Sequence, residues 1–304
     1  MKNFELSMAL PTPCQQLADE NLFGMPVWIK RDDLLHPVVS GNKYRKLKYS
    51  LLAIENRSAR LVTMGGLWSN HVHATAFAAA ELGYRSHALI RGHVGMNSAM
   101  LDDCRARGMQ IQFVDRISYR LLRTRRDGWQ TLVTPDQDWF WIPEGGSAPA
   151  ALPGVAELID ELPFIPDVML VACGTAATLA GLLAGLGGRG HVLGIAVIEG
   201  ADYLHSEVAR LLLEAGHPNY QNYQLLTDFH HGGYAKTSLE LLQFCADFEL
   251  RYQIPIEPVY TGKVFYALHK LIRSDLIHRN QTVIALHTGG VQGARGMRDG
   301  ADRI

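Results

Sequence analysis

Cysteine is scarce and scattered: Cys14, Cys104, Cys173 and Cys245 are the four in 304 residues, and no two form a CxxC pair. That pattern argues against a zinc ribbon and a disulfide framework, and fits reduced thiols in a cytoplasmic protein. Charge of one sign is lacking too, the formal net charge being −1. Without a basic or acidic surplus the chain has no footprint for nucleic acid or an anionic membrane, so a small molecule is the expected partner. The opening residues Met1-Lys2-Asn3-Phe4-Glu5 contain no signal-peptide core. Internal repeats and low-complexity tracts are missing, and His93, His230, His231 and His269 show no metal-ligand spacing, so no metal is expected. One uncharged stretch, Val168 to Gly188, has the length of a membrane span. It is interrupted, however. Val168-Met169-Leu170-Val171 reads as a buried strand, Gly174 to Thr178 as a turn with hydroxyls, and Leu179-Ala180-Gly181-Leu182-Leu183 as a buried helix, which predicts a strand-loop-helix unit instead of a bilayer segment.

What is present is an alternation of strands and helices, the pattern of mainly parallel sheets covered on both faces in an α/β protein. Apolar runs predict strands at Val27–Lys30, Leu61–Met64, His87–Ile90, Gln110–Val114, Trp139–Ile142, Val168–Ala172, Val192–Val197 and Thr282–Leu286. Helical periodicity predicts Tyr44–Ile54, His71–Leu82, Ser98–Arg107, Val155–Leu162, Ser206–Ala215, Tyr234–Leu250 and Val264–Arg273. The length suits two lobes with a cleft between them, or one large domain. Loops at the carboxyl ends of strands are where ligands bind in such folds. Gly65-Gly66, Gly145-Gly146-Ser147, Cys173-Gly174 and Thr288-Gly289-Gly290 occupy such positions. The charged segment Arg120 to Asp127, with Arg123, Arg125 and Arg126, reads as solvated surface.

Four separated segments carry chemistry: Ser40-Gly41-Asn42-Lys43, Gly65-Gly66-Leu67-Trp68-Ser69-Asn70-His71, Cys173-Gly174-Thr175-Ala176-Ala177-Thr178 and Val259-Tyr260-Thr261-Gly262-Lys263. Lys43 precedes a helical run, and a helix start disfavours an ammonium, which aids Schiff-base chemistry; alone, such a lysine is ordinarily a surface charge. Ser69 and Asn70 sit where free backbone N–H groups favour a carboxylate, although plain N-capping would place them there as well. The loop from Gly174 to Thr178, between a strand and a helix, offers N–H groups and hydroxyls to a phosphate. It lacks a Walker lysine, and there is no G-x-G-x-x-G fingerprint, so a nucleotide site is disfavoured.

In this order the segments resemble the pyridoxal phosphate-dependent family of 1-aminocyclopropane-1-carboxylate deaminase and D-cysteine desulfhydrase. The family's Gly-Asn-Lys-x-Arg-Lys-Leu motif is matched by Gly41-Asn42-Lys43-Tyr44-Arg45-Lys46-Leu47. The resemblance runs from Leu10-Pro11-Thr12-Pro13 to Gly289-Gly290 and implies that Lys43 carries the cofactor pyridoxal 5'-phosphate and acts as base. It also implies that Lys46 lies near the phosphate, that Gly174, Thr175, Ala176, Ala177 and Thr178 hold the phosphate, and that Asn70, Tyr260, Thr261 and Thr288 contact the cofactor. Ser69 and Tyr260 join Lys43 as catalytic candidates, and Trp68, Ser69, Asn70 and His71 as substrate-binding ones. The implied fold is that of a fold-type II enzyme like the tryptophan synthase β subunit: two open, twisted, mainly parallel sheets with the cofactor between lobes, 1–44 with 147–304 forming the larger and 45–146 the smaller. A homodimer is expected.

Two late segments divide the family. Pro258-Val259-Tyr260-Thr261-Gly262-Lys263 and Leu286-His287-Thr288-Gly289-Gly290 look like the desulfhydrase branch, because cyclopropane deaminases generally carry glutamate after the tyrosine where this chain has Thr261. A neutral hydroxyl near the pyridine nitrogen withdraws electrons less than a carboxylate arrangement would, which suffices for β-elimination of a good leaving group. The leading expectation is a lyase converting D-cysteine to pyruvate, sulfide and ammonia. The alternatives are cyclopropane deamination, deamination or racemisation of another small amino acid, and a pyridoxal phosphate-binding protein of weak turnover. Two departures bear on substrate: Trp68 replaces the usual glutamine before Ser-Asn, and His73 stands where arginine is common.

Overall fold

The computed structural model describes residues 8–17, 22–39, 41–56, 58–125, 127–133 and 138–298. Ser40, Arg126 and the residues 1–5 used in the sequence reading lie outside these. In chain order the elements are β1 (Cys14–Gln16), β2 (Trp28–Arg31), α1 (Gly41–Leu52), β3 (Arg60–Gly65), α2 (Asn70–Glu81), β4 (Arg85–Arg91) and α3 (Ala99–Ala106). There follow β5 (Gln110–Val114), α4 (Arg116–Thr124), β6 (Trp139–Ile142), α5 (Leu152–Asp160), β7 (Val168–Cys173), α6 (Ala177–Leu186) and β8 (His191–Ala196). The last are α7 (Tyr203–Glu214), β9 (Tyr223–Leu226), α8 (Leu239–Tyr252), α9 (Thr261–Arg273), β10 (Val283–His287) and α10 (Arg295–Arg298).

Two sheets result. The larger has the order β1-β2-β10-β7-β8-β9 and the smaller β5-β4-β3-β6. Every strand pair is parallel except β1 with β2. A parallel sheet needs cover on both faces, and β7 shows why its sequence is apolar throughout. Val168, Leu170 and Ala172 face a core with Phe244, Phe248 and Phe265 of α8 and α9. Met169, Val171 and Cys173 face the opposite core, with Leu152 and Val155 of α5 and Leu179 and Leu183 of α6. The uncharged run is thus β7, a loop and a fully packed α6. Among the described residues no helix is long and apolar enough to cross a membrane.

The insertion of β10 between β2 and β7 has the main consequence for the site, because it brings the loop after His287 beside the loop after Cys173. The expected cut at 44/45 falls inside α1, which spans Gly41–Leu52, whereas 146/147 falls between β6 and α5.

One correction follows from backbone geometry. The helix expected from Tyr234 begins at Leu239, capped by the Ser238 hydroxyl. Before it, His231, Gly232, Gly233 and Ala235 take positive φ, which no helix accommodates. The charged segment is solvated as expected: Arg120, Arg123 and Arg125 are exposed on or beside α4, whose Tyr119 and Leu122 turn inward.

Candidate active site

Helix α1 presents the central lysine, and a buried charge network fixes the helix. Arg45 donates Nε to Asp32 Oδ2 at 2.6 Å, Nη2 to Asp32 Oδ1 at 2.8 Å and Nη1 to Glu161 Oε1 at 2.9 Å. Lys30 Nζ reaches Glu161 Oε2 at 2.6 Å, and Thr12 donates its hydroxyl to Asp32 at 2.7 Å. Two cations and two carboxylates balance, which is what makes their burial tolerable. The helix start is pinned from the other side. The Asn42 N–H donates to the Thr288 carbonyl at 3.3 Å. Gly41 has φ +59°, and a Cβ there would lie 1.8 Å from the same carbonyl oxygen, so glycine alone fits.

Around Lys43 the separated motifs converge. Its Nζ is 2.9 Å from Asn42 Oδ1 and 5.8 Å from the centroid of the Tyr260 ring. Asn42 Nδ2 donates to Thr178 Oγ1 at 3.0 Å, linking the lysine helix to the Gly174-to-Thr178 loop. Burial pulls the Lys43 ammonium down to about 8, with Glu257 opposing the shift. Lys46 is fully buried one turn on and is driven well below its ordinary value, first by burial and then by Lys43. His71 is lowered in the same way, by burial and then by Lys46 and Lys43. Its Nε2 lies 2.8 Å from Thr63 Oγ1, while buried Nδ1 has no partner.

Buried Lys46 and His71 and half-buried Lys43 lie close enough for each to disfavour the protonated form of the next, an environment that an anion would stabilise. The Gly174-to-Thr178 loop fits an anion as well. Ala176 precedes α6 as an N-cap without a side-chain hydrogen bond, and Thr175 packs against Gly145, whose added Cβ would stand 2.9 Å from Thr175 Cγ2. Gly146 lies against Lys46 and His71. The residues present therefore fit a phosphate-bearing cofactor: Lys46 and residues 174–178 for the phosphate, Lys43 for the covalent link. The structure places His71 beside Lys46 and Gly146.

Ser69 and Asn70 stand at the start of α2. The Ser69 Oγ accepts from the Val72 N–H at 3.3 Å, the capping geometry, and keeps its own proton free to donate. Asn70 donates Nδ2 to the Gly290 carbonyl at 3.1 Å, while its buried Oδ1 lacks a partner. Trp68 packs its indole on Gly296 of α10, where an added Cβ would be 2.6 Å from Cδ2. His73, one turn beyond Asn70, contacts Asp103 at 3.0 Å, and Arg295 contacts the same carboxylate oxygen at 2.5 Å. A guanidinium from the C-terminal segment thus stands close to His73.

At the start of α9, Thr261 is fully buried and its hydroxyl is committed to Glu257, 3.1 Å from Oε1. Both Glu257 oxygens are occupied: Oε2 accepts from Val259 N at 2.7 Å, and Oε1 from Thr261 N at 2.8 Å and Tyr260 N at 3.0 Å. Burial raises the Glu257 carboxyl to about 7. Tyr260 is pushed well above its ordinary value by burial and then by Tyr234, so its hydroxyl stays protonated. That hydroxyl donates to Tyr234 Oη at 3.2 Å.

Sequence reasoning gave no role to Tyr234, Glu257 or Lys263. Tyr234 was hidden in an expected helix, and Glu257 lies just ahead of a quoted motif with no pattern announcing its burial.

A lysine, an anion cradle made from α1, α6 and the 144–146 turn, and a tyrosine against the lysine are features of one chemistry. The chain matches the family described as pyridoxal-phosphate dependent enzyme over residues 7–289. It belongs to that family. A protein of Pyrococcus horikoshii, provisionally named 1-aminocyclopropane-1-carboxylate deaminase, is 31% identical, covering 93% of this chain and 90% of the relative. The bifunctional D-cysteine desulfhydrase/1-aminocyclopropane-1-carboxylate deaminase, mitochondrial, of Arabidopsis thaliana is 29% identical, covering 93% of this chain and 77% of that protein. A crystal structure described as an ACC deaminase homologue superposes with a TM-score of 0.85 at 30% identity, covering 96% of this chain and 93% of the other. This pyridoxal phosphate enzyme is therefore a lyase of the 1-aminocyclopropane-1-carboxylate deaminase and D-cysteine desulfhydrase family, with the fold-type II architecture and pyridoxal 5'-phosphate as its cofactor.

Proposed function

We propose that the enzyme eliminates the β-thiol of D-cysteine, which with one water yields pyruvate, ammonia and hydrogen sulfide. The observation that carries this reading is the Tyr260-Thr261 pair: no carboxylate follows Tyr260, and the nearby Glu257 has its oxygens filled by Val259, Tyr260 and Thr261. Opening an unactivated cyclopropane calls for stronger electron withdrawal than loss of a thiol does.

Pyridoxal 5'-phosphate, when bound, supplies the electron sink for charge developing at the substrate Cα. The chain's residues do the rest. Lys43, brought to about 8, takes and holds the Cα proton near neutral pH. Ser69 and the first N–H groups of α2 bind the substrate carboxylate. The Tyr260 hydroxyl, kept protonated, is a proton donor for the leaving sulfur. Asn70 and Thr288 would hold the cofactor ring, Asn70 through its unpartnered Oδ1.

The second reading, ring-opening deamination of 1-aminocyclopropane-1-carboxylate, draws support from the names of the relatives. Paired assays on the purified protein separate the two. Pyruvate and sulfide from D-cysteine with little 2-oxobutanoate from the cyclopropane acid are expected, and efficient ring opening without elimination would reverse the assignment.

A further inference from the structure

Lys263 lies one turn beyond Tyr260 and is fully buried. A lysine is almost never buried so completely without a specific use, because its ammonium must be stripped of water. Here all three ammonium protons have acceptors: the carbonyls of His230 at 2.7 Å, Gly233 at 3.0 Å and Val197 at 3.3 Å. Val197 follows β8 directly, while His230 and Gly233 belong to the 227–238 segment between β9 and α8. One side chain therefore staples that segment to the end of a sheet strand.

The segment needs such a staple. Four of its residues have positive φ, His231, Gly232, Gly233 and Ala235, and it forms no helix or strand that would hold it. Phe229 packs on the core and the His231 ring meets Tyr266 edge-on at 4.8 Å, which fixes its flanks. Tyr234 itself is 46% exposed, so its own burial contributes little to its position. Yet its hydroxyl meets that of Tyr260 at 3.2 Å, with the rings edge-on and their centroids 6.0 Å apart.

We propose that Lys263 is a positioning residue that clamps the 227–238 segment so that Tyr234 meets Tyr260 at the mouth of the active site. Glu257 acts from the other end of the same turn, fixing the Tyr260 backbone, so the hydroxyl pair is framed by one buried carboxylate and one buried ammonium. Lys263 is not a second attachment point for the cofactor, since its amine is fully engaged with carbonyls. The proposal rests on the assignment of Tyr260 to the active site.

Hydrogen exchange on the holoenzyme tests the clamp without relying on turnover. In Lys263→Met the amides of 227–238 should exchange about tenfold faster or more while β7 and β10 keep their protection. Turnover of D-cysteine should fall mainly in kcat, and Tyr234→Phe added to Lys263→Met should cost little more, because the hydroxyl pair is already lost. If Lys263→Met does not fold, Lys263→Gln, which keeps two N–H donors, should show the same local loosening to a smaller extent. Unchanged exchange in the segment, loosening spread evenly over the chain, or losses that multiply in the double variant would overturn the proposal. Failure of the active-site reading would look different: no cofactor attached at Lys43, with the exchange in 227–238 still reporting on the clamp.

Discussion

Asn42 and Thr178 share a 3.0 Å hydrogen bond that joins α1, which carries Lys43, to α6, which follows the loop proposed to hold the phosphate. The same asparagine accepts from Lys43 at 2.9 Å through its other side-chain atom. One residue therefore ties Lys43 to the start of α6.

Removing it should act on the cofactor more than on the fold. Losing a buried hydrogen bond of this kind costs about 1–3 kcal/mol, so Asn42→Ala should weaken pyridoxal phosphate binding by roughly 5- to 150-fold. Absorbance titration of the cofactor-free protein measures this. Undiminished affinity would show that the bond is incidental to the site.

Lys43 gives a prediction with a definite sign. Burial lowers its ammonium from 10.5 to about 8, so the neutral, nucleophilic amine is half formed near that pH. Capture of pyridoxal phosphate by the cofactor-free protein should accelerate as pH rises toward 8 and level off above it, whereas an ordinary lysine would keep gaining beyond pH 10. Borohydride reduction of the holoenzyme followed by peptide mapping should locate the cofactor on Lys43, and Lys43→Ala should lose both the yellow colour and turnover. A cofactor found on Lys46 or Lys263 would defeat the assignment.

Local signals made much of the fold legible. Gln110–Val114 and Trp139–Ile142 form strands within the bounds that their apolar runs indicate, and the interrupted stretch after Val168 resolves into β7 and α6 because Gly174 and Thr175 break it. Elements that depend on distant partners were not legible. Cys14–Gln16 is a strand only because β2 lies antiparallel beside it, and Tyr223–Leu226 only because β8 supplies an edge. At the site, the lysine, serine-asparagine and tyrosine motifs were visible as residue types, while the contacts that link Lys43 with Asn42, Thr178 and Tyr260 needed the sheet order. Glu257 and Lys263 stayed silent because their importance lies in which backbone groups they meet, and sequence spacing carries no record of that.

Arg45 illustrates a motif residue whose role is structural. Its guanidinium is shared by Asp32 and Glu161 in a buried network that also includes Lys30. Arg45→Met would leave buried Asp32 without a cation and partly buried Glu161 with Lys30 alone, and breaking a buried pair in this way costs about 3–5 kcal/mol. Urea unfolding should show that loss, larger than the effect of Asn42→Ala on stability. A change below about 1 kcal/mol would mean that water or Lys30 compensates the carboxylates, since that is the range of an exposed pair.

Trp68 links substrate choice to the C-terminal segment. The indole directly precedes Ser69, the residue proposed to bind the substrate carboxylate, and its face lies against Gly296. Replacing it changes both the bulk beside Ser69 and the seat of α10. Trp68→Gln should alter relative kcat/KM among D-amino acids by roughly tenfold, on the order of 1.4 kcal/mol in discrimination, with the cofactor's visible spectrum intact. Gly296→Ala provides an independent arm, because its Cβ would come 2.6 Å from the indole and must displace it. If the position of the indole governs selectivity, both variants should shift the preference between D-cysteine and larger β-substituted D-amino acids. If instead each variant loses stability and cofactor together, and every substrate falls by one common factor, the ring serves packing alone and selectivity must be sought elsewhere in the pocket.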